Sequence, residues 1–265
     1  MHIIWQPTFA CEKNCPGCYL AGGRLARNLP GDEYMGDLAF RLTHDDKFNP
    51  EQLTLSLDNE PTSVGLYAMQ RLAEELRKME NPPGFYLTFR DEMSGAHWSK
   101  AAEKLGIGFE PKAVAFSNVT NPSFMGDILV NKDRKMTVGF NLLAGEETPE
   151  LLEIISLFDF IYLLVRKPKL GQRFKQEDIE QWFRTRETLD KAGITYVQDK
   201  CMENAYNVAT GVQEGCHAGI SIKTVWPDGQ ETGCPYNSNG IEENGGACHA
   251  CHLPSALQEY WKGKE

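Results

Sequence analysis

Cys11-Glu12-Lys13-Asn14-Cys15-Pro16-Gly17-Cys18-Tyr19 follows the apolar run Ile3-Ile4-Trp5 near the start of a 265-residue chain. Three thiols, separated by three and then two residues, share one short segment. Soft thiolates this close together select zinc or an iron–sulfur cluster. A cubane [4Fe-4S] centre takes four ligands, so three protein thiolates leave one iron open. An open position is what distinguishes a centre that binds a small molecule from a closed structural one. The plainer alternative is a zinc knuckle or a group of buried thiols, although no neighbouring fourth ligand completes a zinc tetrahedron.

The rest of the composition narrows the field. The length allows one large domain, or a large and a small one, and 41% apolar content supplies a sizeable core. A net charge of −10 argues against an extended nucleic-acid or anionic-membrane footprint, since both need basic patches. No apolar run is long enough to span a bilayer, and the amino terminus lacks a signal-peptide pattern, so a cytoplasmic protein with no membrane partner is expected. The eight cysteines lie at 11, 15, 18, 201, 216, 234, 248 and 251. A secreted disulfide framework belongs to short chains with a signal peptide; metal ligation is the better use for most of these thiols.

Between residues 2 and 200, apolar strand-like runs alternate with helical patterns, which predicts an α/β fold with a parallel sheet and crossover helices. The expected strands are His2 to Trp5, Leu53 to Leu57, Phe85 to Phe89, Ala113 to Phe116, Thr137 to Asn141 and Phe160 to Val165. Helical spacing marks Met35, Leu38, Ala39 and Leu42, then Leu66, Met69, Leu72, Leu76 and Met79, then Trp98, Ala101, Ala102 and Leu105. Thr148-Pro149 reads as an N-cap and first-turn pair for a helix burying Leu151, Ile154, Ile155 and Phe158. A further helix from Gln176 to Ala192 turns Ile179, Trp182, Phe183 and Leu189 inward and stops at Gly193. Residues 121–135 carry no clear pattern and are expected to form an irregular crossover. Ile194 to Val197 then leads out towards Cys201.

The three-cysteine segment at this spacing, after a first strand, resembles the signature of the radical S-adenosylmethionine superfamily. The resemblance implies a partial (β/α)6 TIM-like barrel over residues 1–200, in which Cys11, Cys15 and Cys18 ligate a [4Fe-4S] cluster. S-adenosylmethionine would chelate the open iron and yield methionine and a 5′-deoxyadenosyl radical that abstracts a substrate hydrogen atom. Asp58-Asn59-Glu60-Pro61-Thr62, after the second expected strand, is similar to the superfamily's Gly-Gly-Glu-Pro segment. Glu60 and Pro61 match, while Asp58 and Asn59 replace the two glycines. By this likeness Asn59, Glu60 and Pro61 would bind the cosubstrate, with Glu60 on its amino group. As an ordinary turn, the same residues would end in Thr62 capping a helix. Ser117 and Asn118, at the end of the fourth strand, are either the contacts for the ribose that the resemblance implies or the polar strand terminus that any loop needs. The residue before the third cysteine is often aromatic in the family and packs by the adenine; here it is Gly17, so that contact is lost or passes to neighbouring Tyr19. Arg166 and Lys167 are either carboxylate-binding cations or a solvated strand end.

After residue 200 the pattern changes. Two strand-like runs flank Pro227-Asp228-Gly229, a turn signal in which proline fixes φ and glycine accepts a positive one. Such a hairpin brings Cys216 and Cys234 to the same end, and Cys248-His249-Ala250-Cys251 adds two more thiols before a helix near Pro254. Residues 201–265 resemble the auxiliary-cluster extensions known as SPASM and twitch domains: a small hairpin-plus-helix metal-binding domain. Four cysteines fit the shorter twitch form with one second [4Fe-4S] cluster. A structural zinc site from the same thiols is the alternative. His217, His249 and His252 then act as hydrogen-bonding neighbours. Cys201 is left over, as a buried thiol, an extra ligand or a substrate contact.

The resemblance implies a substrate that is a peptide or protein side chain, or alternatively a small metabolite undergoing dehydrogenation or rearrangement. It also implies an external low-potential donor such as flavodoxin or ferredoxin. The chain starts at the first strand, so a leader-peptide-binding module would be a separate protein. A non-catalytic iron–sulfur electron carrier or scaffold is a more distant reading, because a carrier has no need of a large barrel.

Overall fold

The computed structural model describes residues 1–7, 32–48, 50–57, 61–108, 110–130, 135–166, 174–212, 222–227, 229, 231–233 and 253–264. Its strands are β1 (His2–Trp5), β2 (Gln52–Leu57), β3 (Gly84–Phe89), β4 (Ala113–Phe116), β5 (Thr137–Leu143), β6 (Phe160–Leu164), β7 (Val197–Gln198), β8 (Ile222–Val225) and β9 (Glu231–Thr232). Between and after them run α1 (Asp32–His44), α2 (Ser63–Lys78), α3 (Glu92–Lys104), α4 (Pro122–Val130), α5 (Pro149–Ile155), α6 (Gln176–Lys191), α7 (Lys200–Ala209) and α8 (Leu253–Lys262). They build one open sheet in the order β7-β6-β5-β4-β3-β2-β1-β8-β9, with every pairing parallel except β8 with β9.

Consecutive strands from β1 to β7 are neighbours in order. Right-handed crossovers in a run that never reverses direction put the helices on one face of the sheet. The side chains agree. Leu53, Leu55, Leu57, Phe85, Leu87, Phe89, Val114, Phe116, Val138, Phe140, Leu142, Ile161 and Leu163 all join the buried core with helix residues such as Met35, Leu72, Trp98 and Ile179. Strand side chains alternate between faces, so Thr54, Ser56, Tyr86, Thr88, Ala115, Gly139, Asn141, Phe160 and Tyr162 lie on the other side. A parallel sheet covered on both faces reads as unbroken apolar runs. This one carries hydroxyls, an amide and aromatic rings on its second face instead.

Local signals set the helix ends. Thr62 caps α2 by accepting from the Gly65 amide at 3.0 Å. Asp91 caps α3 through the Ser94 amide at 2.7 Å, and Thr148 caps α5 through the Leu151 amide at 3.2 Å, with Pro149 in the first turn. Gly193, at φ 69°, follows α6 as expected. All six expected strands occur, with ends shifted by at most two residues.

Three expectations change. Residues 121–135 are not an irregular crossover: they contain α4, whose start is fixed by Asn121 accepting from the Phe124 amide at 3.1 Å ahead of Pro122. The Asn-Pro pair is an N-cap signal, but Phe124 and Val130 are exposed, which hides the helical stripe. Leu105 is not on the buried face of α3; it lies just beyond the helix and is exposed. Finally, residues 194–198 do not simply leave the sheet, because Val197 and Gln198 pair with Tyr162 and Leu163 as a seventh parallel strand. Asp199 then caps α7 by accepting from the Cys201 amide at 2.9 Å.

The expected hairpin is present as β8–β9, with Gly229 at φ 75° and its amide donating to the Trp226 carbonyl at 2.9 Å. It is continuous with the main sheet, since β8 lies beside β1. Helix α8 packs against α6 and α7, stacking Tyr260 on Phe183 at 4.8 Å and setting Trp261 edge-on to Tyr206 at 5.5 Å. Among the described residues no helix is long and apolar enough to cross a membrane.

Candidate functional site

In parallel α/β sheets ligands bind outside the carboxyl ends of the strands, where the connecting loops converge. Here Pro7 follows β1, Pro61 and Thr62 follow β2 closely, Arg90 and Asp91 follow β3, Ser117 and Asn118 follow β4, and Val165 and Arg166 follow β6. All of these belong to one end of the sheet because the strands run parallel.

The implied site residues divide sharply. Cys11, Cys15, Cys18 and Tyr19, Asn59 and Glu60, Lys167, and Cys216, Cys234, Cys248 and Cys251 lie outside the described residues. Pro61 is half-buried and leads directly into the Thr62 cap. Ser117 and Asn118 are both exposed at the mouth of the sheet. The Ser117 amide donates to the carbonyls of Phe89 and Arg90 at 3.2 and 3.1 Å, which ties the end of β4 to the end of β3. From β5, the Asn141 amide group donates to the Ser117 hydroxyl at 3.4 Å. The Asn118 side chain accepts from the Val119 amide at 2.9 Å. Arg166 pairs with Glu146 at 3.4 Å; burial raises the Glu146 carboxyl above its ordinary range, against the pull of Arg166. Cys201, near the start of α7, is half-buried.

Three features were not anticipated. The Arg90 guanidinium donates to the Asp91 carboxylate at 2.6 Å in a largely buried pair. Next to it Glu92, 1% exposed, accepts from the Thr120 amide at 2.8 and 3.1 Å, from the Thr120 hydroxyl at 2.7 Å and from the Asn121 amide. The run Arg90-Asp91-Glu92 marks a strand end in the sequence, but no local spacing joins Glu92 to Thr120. On the face away from the helices, Phe160 lies across Gly139, where a Cβ would collide with its ring, and Tyr162 meets Phe160 edge-on at 5.4 Å. Burial raises the Tyr162 phenol above its ordinary pKa, and Tyr86 adds to the shift.

No protein-family model matches the chain, and no curated protein matches it. Among solved structures, SuiB from Streptococcus suis has the same fold, with a TM-score of 0.58 over 92% of this chain at 12% sequence identity. The chain spans 62% of the length of SuiB. The likeness is one of fold: a mostly parallel α/β sheet with helices.

Proposed function

We propose that this protein is a radical S-adenosylmethionine enzyme. The observation that carries the reading is the joint occurrence of two features: a fold shared with SuiB, itself a radical S-adenosylmethionine enzyme, and three cysteines in the connection that leaves β1 at the carboxyl end of the sheet. The donor set fits a [4Fe-4S] cluster, because Cys11, Cys15 and Cys18 supply three soft thiolates and no fourth. When bound, the cluster supplies the electron that splits S-adenosylmethionine into methionine and a 5′-deoxyadenosyl radical, which takes a hydrogen atom from the substrate.

The chain's own residues bind and orient. Glu60 would accept from the cosubstrate's amino group, with Asn59 and Pro61 shaping the turn and Tyr19 packing by the adenine. Ser117 and Asn118 present a hydroxyl and an amide to the ribose. The face of the sheet away from the helices, with Thr54, Ser56, Asn141 and Tyr162, would receive the substrate. On this reading the sheet would form a partial (β/α)6 barrel; the run of parallel strands β1 to β6 in sequential order, each followed by a helix, is what such a barrel requires.

The second group, Cys216, Cys234, Cys248 and Cys251, has the donors for an auxiliary [4Fe-4S] cluster, with structural zinc as the alternative. As an auxiliary domain, residues 201–265 would accept the electron left on the substrate or ligate the substrate itself. A peptide or protein side chain is the preferred substrate and a small metabolite the second; a flavodoxin or ferredoxin would deliver the electron. The test is anaerobic reconstitution with iron and sulfide, reduction, and assay of 5′-deoxyadenosine from S-adenosylmethionine. Wild type is expected to form it, and a Cys11/Cys15/Cys18 triple alanine variant is not. Equal yields from both would overturn the proposal in favour of an electron carrier or scaffold.

A further inference from the structure

Glu92 opens α3 with its carboxylate fully turned away from solvent. An ionised carboxylate is costly to bury unless donors compensate it. The first turn of a helix favours a negative charge, but α3 is already capped by Asp91, and the Arg90 guanidinium is engaged by Asp91. The Glu92 oxygens instead take the Thr120 amide, the Thr120 hydroxyl and the Asn121 amide. Those donors all belong to the connection that follows β4. Its near end is held separately, by the Ser117 amide on the carbonyls of Phe89 and Arg90. Its far end continues into α4, where Asn121 accepts from the Phe124 amide. Only Asn118 and Val119 lie between the two clamps, and the exposed side chains of Ser117 and Asn118 project from this short span.

We infer that Glu92 is a positioning residue: its buried carboxylate holds the Ser117–Asn121 connection in the one geometry that presents Ser117 and Asn118 together to the ribose hydroxyls of S-adenosylmethionine. This rests on the proposed function above and adds the residue that makes its ribose contact rigid. Two polar side chains in neighbouring positions can serve one diol only if the backbone between them is fixed, because each loop conformer that misaligns them lowers the fraction competent to bind. Glu92 fixes it from outside the loop, through α3, by taking two backbone amides and one hydroxyl of the connection.

The experiment measures the dissociation constant of S-adenosylmethionine by equilibrium dialysis on the anaerobically reconstituted full chain. Glu92→Gln keeps the side chain's length but replaces one acceptor with a donor. It is expected to weaken binding about tenfold, as for residues coupled through a shared network. The Ser117→Ala/Asn118→Ala double variant is expected to weaken binding to a similar degree. Adding Glu92→Gln to that double variant should cost no further affinity, because the groups it positions are gone. Thr120→Val, at an exposed site, removes one donor without touching α3 and should weaken binding roughly two- to threefold; it carries the test if Glu92→Gln does not fold. Hydrogen exchange should quicken at the Thr120 and Asn121 amides of Glu92→Gln while the amides of α3 stay protected. Binding by both Glu92→Gln and Thr120→Val within twofold of wild type would overturn the inference, as would fully additive losses in the triple variant. Wild type that binds no S-adenosylmethionine would overturn the proposed function and this inference with it.

Discussion

The Gln6 amide donates to the Val225 carbonyl at 2.9 Å, the last rung of a parallel ladder in which Trp5 stands level with Val225. Through this pair the first strand, which feeds the cysteine segment, is joined side by side to a strand from near the other end of the chain. Because β8 runs parallel to β1, the turn after Val225 lies at the same end of the sheet as Pro7, while Ile222 and Gly233 belong to the opposite end. The chain therefore enters β8 and leaves β9 at the end of the sheet opposite Pro7.

Gly229→Ala should loosen this junction. The residue sits at φ 75°, and the Tyr34 hydroxyl of α1 occupies the space a Cβ would need. The strained backbone alone is expected to cost roughly 1 kcal/mol or more. In a Tyr34→Ala background the loss should shrink but persist, because the backbone angle remains unfavourable. Thermal midpoints of the four proteins read the cycle, and equal losses in both backgrounds would sink the packing argument.

Gly139→Ala should be worse than a surface change on any other strand. Its Cβ would meet the Phe160 ring, and the neighbouring Tyr162 restricts where that ring can go. Overpacking of this kind typically costs about 1–3 kcal/mol. Denaturant unfolding should show it as a lower midpoint, and Phe160→Leu should restore part of the loss.

His2 makes folding sensitive to acid. Burial, with a smaller contribution from the terminal ammonium, lowers its imidazole from 6.5 to about 4, and its Nε2 lies 2.8 Å from the Thr54 hydroxyl. Between those two values the unfolded chain takes up a proton that the folded chain resists. The stability tied to His2 is therefore complete above pH 6.5 and falls as the pH drops towards 4. His2→Gln keeps a polar group near Thr54 and should flatten the stability profile over that window; an unchanged slope would contradict the assignment.

Metal analysis separates the two readings of the carboxy-terminal cysteines. Two [4Fe-4S] clusters correspond to about eight iron atoms per chain, against about four iron and one zinc for the mixed alternative. Cys234→Ala with Cys251→Ala should remove roughly half the iron in the first case and only zinc in the second. The three-cysteine segment should keep its iron in both.

Much of the sheet was legible because its strands are short apolar runs bounded by turn residues, from Leu53–Leu57 to Phe160–Leu164. Helix starts were legible where a side chain caps its own backbone, as at Thr62 and Thr148. Helix α4 was not, because its exposed Phe124 and Val130 break the stripe that a buried face would leave. The ligand-binding expectations at Ser117 and Asn118 fell on residues that do stand at the mouth of the sheet, whereas the carboxylate that fixes their loop had no signature in its own neighbourhood.

By itself the sequence determined the order and kind of most elements, though not α4 or β7, together with the hairpin turn at Gly229. Each of these is set by interactions between residues a few positions apart, where periodicity and backbone preference act directly. Only the tertiary structure decided that β8 lies against β1, that Glu92 grips Thr120 and Asn121, and that Phe160 fills the space left by Gly139. Those contacts join segments distant in the chain. They depend on which strand edges and buried charges remain to be satisfied once the local elements have packed, and no local pattern records that outcome.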